Sequence, residues 1–278
     1  MIESITQESP ATVASHYDEL DRFYREIWGL HVHHGYWVSG EENSSEATEA
    51  LLDYLVRDLS IQPELKVCDI GCGYGETARY LAKNYQVHVT GLTISQKQLD
   101  FANSLGENPL VKLILRDWMK NELNSDSFDL ILSIESSEHM PDIQKFFQEA
   151  YRVLRPGGTL KVCVWLSKIQ PKPWELKYLL GPICTEGRLR LCDRMEYESL
   201  IRKVGFKEHH FEDVTDKVKK TWTICLRRCL WKFLSDLNFI TFMVRNPSKN
   251  KMFLLSLLRI RAAYECKSMV YGLFTAVK

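Results

Sequence analysis

Three glycines spaced two apart, Gly71, Gly73 and Gly75, follow a short apolar run that carries one acid, Val67-Cys68-Asp69-Ile70. Glycines in such a turn let backbone pass close to a ligand, because no Cβ intervenes and positive φ is freely reached. Asp69, at the end of the run, is suited to accept hydrogen bonds from an ammonium group. The spacing is GxGxG, whereas dinucleotide-binding turns carry GxGxxG. These residues therefore point to a nucleoside cofactor other than a nicotinamide dinucleotide. A second reactive group, Glu135, Glu138 and His139, follows another apolar run at 128–134. His139 is the first candidate for a proton acceptor, since an unperturbed imidazole titrates at about 6.5. Glu138 ranks behind it. The same residues at a strand–helix junction would also serve merely to order the loop.

DIGCGYG (69–75) followed by VTGLTISQKQL (89–99) resembles class I S-adenosylmethionine-dependent methyltransferases. Within them it is most similar to the branch of tocopherol, sterol-type and mycolic-acid-type methyltransferases and related natural-product enzymes. The resemblance continues in HYDELDRFYREIWG (16–29), HHGYW (33–37), RDW (116–118), SIESSEHMPD (133–142), RVLRPGGTLKV (152–162) and YGLFTAVK (271–278). Residues 170–265 match least. The resemblance implies S-adenosyl-L-methionine as cofactor, with S-adenosyl-L-homocysteine as product. It implies that Gly71, Gly73 and Gly75 pass along the methionine and ribose, with Asp69 at the ammonium group. Thr93 and Gln98 stand on the ribose side, where many relatives carry an acid. Asp117 and Trp118 fall where relatives meet the adenine, and Ser133 and Ile134 beside the sulfonium. Tyr17 and His33 belong to a lid over the cofactor. Read without the resemblance, Tyr17 is a core residue and His33-His34 a surface loop.

The elements that must position these groups are legible from periodicity. His16, Tyr17, Leu20, Phe23, Tyr24 and Ile27 recur at helical spacing, and Ser44-Ser-Glu-Ala-Thr opens a second helix. Strands are predicted near 66–70, 87–92, 111–115, 128–134 and 158–166, alternating with helices near 76–84, 95–105 and 142–154. Pro156-Gly157-Gly158 ends the last of these helices and opens the fifth strand. A helix at 194–204, a strand at 206–214, a mostly helical stretch at 217–265 and a strand at 270–277 complete the chain. The fold class is α/β, a Rossmann-like doubly wound sheet. The resemblance makes it seven-stranded, with the last strand antiparallel. One domain spans 1–278: a helical lid (1–60), a cofactor-binding core (61–170) and acceptor-side helices with closing strands (171–278).

Net charge is zero, yet residues 1–60 hold twelve acids against three arginines, and 217–261 hold eleven bases against one acid. The two ends could pair, or the basic stretch could face anionic lipid in weak membrane-surface association. Solvated helix faces explain it more simply. An acceptor pocket is expected from 28–40, 165–192 and 217–260. The last carries Trp222, Leu226, Leu230, Trp231, Phe233, Leu234, Phe239, Phe242 and Phe253, a composition suited to a lipophilic small molecule. Neutral charge, the lack of an NPPY-type element after the fourth strand and the lack of an appended RNA-binding segment argue against nucleic acid. No metal is proposed: His209 and His210 point to opposite faces of a strand. Eight cysteines without CxxC, and no apolar run of spanning length, make a cytoplasmic, reducing compartment the expectation. Two rivals stand beside a methyltransferase: a nicotinamide-dependent oxidoreductase, and a non-catalytic lipid- or partner-binding module on the same fold. The residues name neither the methylated atom nor the oligomeric state.

Overall fold

The computed structural model describes residues 1–4, 9–245 and 247–278, and their side chains except for 242–254. Seven strands form one sheet in the order β3-β2-β1-β4-β5-β7-β6. They are β1 (Lys66–Ile70), β2 (His88–Thr93), β3 (Val111–Leu115), β4 (Phe128–Ile134), β5 (Leu154–Ser167), β6 (Glu208–Asp213) and β7 (Met269–Val277). β1 to β5 run parallel, and β7 inserts antiparallel between β5 and β6. The order reverses at β1, which pairs with both β2 and β4. The crevice beyond the carboxyl ends of those central strands is where an open α/β sheet takes its ligand.

Alternation along the central strands serves two cores. Val67, Leu130 and Leu132 face one side, with α1 (Pro10–Ile27), α2 (Ser44–Val56) and α3 (Glu76–Tyr85). Cys68, Ile70 and Ile131 face the other, against α5 (Ile143–Val153) and α8 (Arg194–Val204); α4 (Gln96–Ser104) follows β2. After β5 the chain makes α6 (Pro173–Glu175), a π turn (Leu176–Leu180) and α7 (Gly181–Gly187). After β6 it makes α9 (Thr215–Val218), α10 (Lys220–Ser235), α11 (Leu237–Arg245) and α12 (Pro247–Glu265). Trp222 on α10 and Leu257, Ile260 and Tyr264 on α12 bury into the first core together with Phe23 and Ile27 of α1.

Local corrections have local causes. The second helix is capped by Asn43 rather than by Ser44: its side chain accepts from the Ser45 and Glu46 backbone N–H groups, and Glu46 returns the bond in a capping box. Pro156-Gly157-Gly158 does not open β5 but lies inside it. Pairing shifts register between Phe128 and Leu130, and Gly157 takes φ +76° to absorb the extra length. The two oppositely charged ends do meet. Lys232 of α10 pairs with Glu26 at 2.8 Å, and Arg228 donates to the Ile27 carbonyl and the Ser44 hydroxyl. Most of this contact is cation to carbonyl or hydroxyl, so charge pairing is the smaller part of it. Among the described residues, no helix is long and apolar enough to cross a membrane.

Candidate active site

A cleft with about 980 Å³ of empty space opens beyond the carboxyl ends of β1, β2 and β4. The glycine turn forms one wall, and each glycine is there for a different reason. A Cβ on Gly71 (φ +74°) would stand 2.4 Å from the Ser136 Cβ. One on Gly75 (φ +77°), which starts α3, would stand 2.6 Å from a Leu113 methyl. Gly73 (φ +53°) has nothing within 4 Å of that position. Its missing side chain leaves part of the cleft empty, a cradle for the ligand itself.

Polar atoms without protein partners face this space. Asp69 is 2% exposed, burial pushes its carboxyl up to about 7, and its Oδ2 has no hydrogen-bond partner. A buried acceptor left in that state is matched by a cationic ligand group. Thr93 donates to Gln98 Oε1 at 2.7 Å, which leaves the Gln98 amide N–H groups to the cleft lining. Asp117 caps the Met119 N–H through one oxygen at 2.9 Å. The Trp118 indole N–H donates to the Phe146 carbonyl at 3.3 Å, so this ring brings its edge and face to the cleft rather than a donor. His33 donates from Nδ1 to the His34 carbonyl at 2.8 Å and keeps an unpartnered Nε2. Burial lowers its pKa, and that of the adjacent His31 to about 3, so both imidazoles are neutral.

α1 lies across the cleft as a lid, and each residue of its His-Tyr-Asp element has a separate partner. His16 meets the Tyr24 hydroxyl at 3.0 Å. Asp18 accepts from Ser95, the N-cap of α4, at 2.5 Å. The Tyr17 hydroxyl reaches His139 Nε2 at 3.1 Å, across 122 residues of sequence. Tyr74 in the glycine turn adds a bond to Asp21 at 2.8 Å. His139 Nδ1 donates to the Arg188 carbonyl at 3.0 Å, which leaves Nε2 as the acceptor atom.

A second chamber, with about 680 Å³ of empty space, shares Tyr17, Val32, Glu135 and His139 with the first. Tyr24, Trp28, Trp165 and Trp222 supply aromatic wall, and Leu257 and Ile260 of α12 and Ile183 of α7 supply aliphatic wall. Two carboxyls beside the shared boundary differ sharply. Glu135, in the left-handed region at φ +52°, accepts at Oε1 from the His34 backbone N–H (2.7 Å), His34 Nδ1 (2.8 Å) and the Tyr271 hydroxyl (2.8 Å). Its Oε2 accepts from the Trp165 indole at 2.9 Å. Burial alone would raise its pKa, but its electrostatic interaction with His34 and these donors bring it down to about 2. Glu138 is 1% exposed; burial first, then the Glu135 charge, push it up to about 8.

Of the residues singled out in the sequence, Tyr17, His33, Asp69, Gly71, Gly73, Thr93, Gln98, Asp117, Trp118, Ile134 and His139 line the cleft. Glu138 lines only the second chamber. Gly75 packs the start of α3 against the sheet instead of lining the cleft. Ser133 does not reach the cleft either: it is fully buried beneath the sheet end, bonded to Ser136 at 2.8 Å. The aromatic residues expected around the acceptor are also reassigned. Trp222 lines the chamber, Phe239 stacks on Phe23, and Leu230, Trp231 and Leu234 point outward. The side chains of Phe242 and Phe253 lie outside those described. His31 and Asp18 were not selected from sequence, although Asp18 was visible in the His-Tyr-Asp element. Glu135 was placed in the reactive group after β4, but its role was not legible there, because its donors come from residues 34, 165 and 271.

The family model described as mycolic acid cyclopropane synthetase matches residues 5–239. This chain belongs to that family of S-adenosylmethionine-dependent methyltransferases. The methyltransferase is 31% identical over 278 residues to 27-O-demethylrifamycin SV methyltransferase of Amycolatopsis mediterranei, covering 99% of each chain. It is 29% identical over 249 residues to the chloroplastic tocopherol O-methyltransferase of Arabidopsis thaliana, covering 81% of this chain and 71% of that one. Its fold matches the mycolic acid cyclopropane synthase CmaA1 complexed with S-adenosylhomocysteine, with TM-score 0.87, 22% identity and coverage of 98% and 99%. S-adenosyl-L-methionine is its cofactor. The lone Oδ2 of Asp69 and the open cradle at Gly73 suit the ammonium group and the chain of that molecule. The nicotinamide alternative is not favoured.

Proposed function

We propose that this methyltransferase methylates a hydroxyl group on a bulky, largely apolar small molecule held in the second chamber, with His139 as the base. The observation that carries the reading is the acceptor state of His139 Nε2 at the boundary of the two chambers, fixed by Nδ1–H donation to Arg188. Two relatives support it: one is named for methylating oxygen on a rifamycin, the other on tocopherol.

Asp69, Gly73, Gln98, Asp117 and Trp118 would hold the cofactor, with His33 and Tyr17 closing over it. When bound, it supplies an electrophilic methyl on a sulfonium with a good, neutral leaving group. Alignment and exclusion of water can then account for about 7–11 kcal/mol of the barrier. What remains is the acceptor's proton. His139 Nε2 takes it, and a positioned base of this kind contributes about 10²–10⁴-fold. The Tyr17 hydroxyl occupies Nε2 until the acceptor hydroxyl replaces it or bonds through it. Glu135 is saturated by four donors and straps the His33-His34 loop to the sheet, so it is no base. Glu138 is protonated near neutral pH and offers the chamber a hydrogen-bond donor.

The test is calorimetric titration with S-adenosylhomocysteine, using Gly73→Arg as the blocked control, followed by turnover with labelled methyl donor on phenolic acceptors and their methyl ethers. Binding lost in the control, together with labelling of the phenols alone, is the expected result. Label on carbon of a methyl ether would refute the assignment to oxygen while leaving the cofactor site intact.

A further inference from the structure

The outer face of α10 carries an unpartnered apolar patch. Leu230 (52% exposed), Trp231 (69%), Leu234 (84%) and, just past the helix end, Leu237 (80%) lie together on it. Residues 227, 230, 231 and 234 share one helix face by their spacing, so the exposed Arg227 guanidinium borders the patch. Large side chains so fully in water, contiguous and including a tryptophan, mark a surface that meets something apolar. α12 repeats the pattern on its described residues. α12 lines the acceptor chamber with Ser256, Leu257 and Ile260, and exposes Leu255 and Leu258 beside them. Elements that wall the lipophilic chamber on one side are therefore greasy on the other.

We propose that this face of α10 and α12 docks on the surface of an anionic lipid bilayer. Charge complementarity selects that occupant. Of the eleven bases in 217–261, Lys217, Lys219, Lys220, Arg228, Lys232 and Arg259 bond to carbonyls or carboxylates within the protein, whereas Arg227, at the edge of the patch, and Arg261 are exposed with no ion pair among the described residues. A second copy of the chain fits less well. Four prominent side chains on one helix edge fall far short of the 20–30 residues per side that a standard protein interface uses. An amphipathic face that buries a few leucines and a tryptophan at the headgroup boundary, flanked by arginine, suits peripheral binding to anionic membranes. Its purpose would be to take a lipophilic acceptor directly from the bilayer; that purpose rests on the proposed acceptor class, whereas the docking does not.

Flotation with phosphatidylcholine vesicles, with and without phosphatidylserine, tests it on the full-length protein. Wild type should float with the phosphatidylserine vesicles, and added salt should release it. Trp231→Ala/Leu234→Ala should lower binding by tenfold or more, and Arg227→Gln by roughly fivefold. All variants should bind S-adenosylhomocysteine like wild type, which shows that the fold and cofactor site are intact. Failure to float, equal flotation of the double variant, or a wild-type dimer that the double variant converts to monomer would each overturn the proposal. Absence of S-adenosylhomocysteine binding by wild type itself would instead count against the methyltransferase reading and leave the docking result standing.

Discussion

Replacing Asp69 by asparagine separates what this residue does for folding from what it does for binding. In the free protein its carboxyl is buried, carries an unpartnered oxygen and titrates at about 7 instead of 3.8. A rise of about three units corresponds to ~4 kcal/mol of differential cost, at 1.36 kcal/mol per unit. The folded value lies above the unfolded one, so stability is highest below pH 4 and falls as pH rises towards 7, where the buried group ionises. Above about pH 7 the cost is fully present. An asparagine side chain keeps the shape and cannot ionise. Thermal melts of the ligand-free proteins should therefore coincide near pH 4, with the Asp69→Asn variant gaining steadily on wild type up to about pH 7. With ~2 °C per kcal/mol for a chain of this size, the gap should reach several degrees. Cofactor binding should move the other way. Losing a buried charge partner for an ammonium group costs about 2–5 kcal/mol, a weakening of roughly 30-fold to several thousand-fold by calorimetry with S-adenosylhomocysteine. If the variant melts lower than wild type at pH 8, or binds the ligand equally well, the assignment of Asp69 as a strained, ligand-directed carboxylate is wrong.

Other perturbations follow from the same geometry. His139→Ala should lower kcat by about 10²–10⁴-fold while leaving S-adenosylhomocysteine affinity within a few-fold, because its Nε2 is the acceptor atom at the boundary of the two chambers; an equal loss in both would make His139 a lid contact only. Gly71→Ala and Gly73→Ala should diverge. The first drives a Cβ to 2.4 Å from Ser136 and should lower stability by about 1–3 kcal/mol, read as a drop in melting temperature. The second meets open space, costs only the ~1 kcal/mol of left-handed backbone, and should mainly weaken ligand binding. Glu138→Gln should preserve activity at neutral pH, since a protonated carboxyl and an amide both donate. Wild-type activity should decline as pH rises through about 8, where Glu138 ionises, and the Gln variant should lose that limb of the profile. A wild-type profile that climbs through pH 8 would contradict a donor role.

The parts of this protein readable from sequence are those in which the signal and its consequence lie close together. An apolar run ending in Asp69, three glycines and an amphipathic helix specify strand, turn and helix within about twenty residues, because periodicity and positive φ are local constraints. The strand alternation then fixes a doubly wound sheet and puts the ligand at its carboxyl end. Asn43 outcompeting Ser44 as a cap, and Pro156-Gly157-Gly158 staying inside β5, show where even local rules yield to pairing with neighbours. The chemistry of the site was decided elsewhere. Tyr17 and His139 meet only because α1 folds back over the cleft. Glu135 and Glu138, three residues apart and chemically alike, are driven to about 2 and about 8. The difference is that Glu135 collects close bonds from His34, Tyr271 and the Trp165 indole, whereas the Trp165 backbone N–H and the Ser137 hydroxyl reach Glu138 only at 3.4 Å. Burial and hydrogen-bond supply are properties of the packed neighbourhood, and a neighbourhood assembled from four distant segments exists only once the chain has folded.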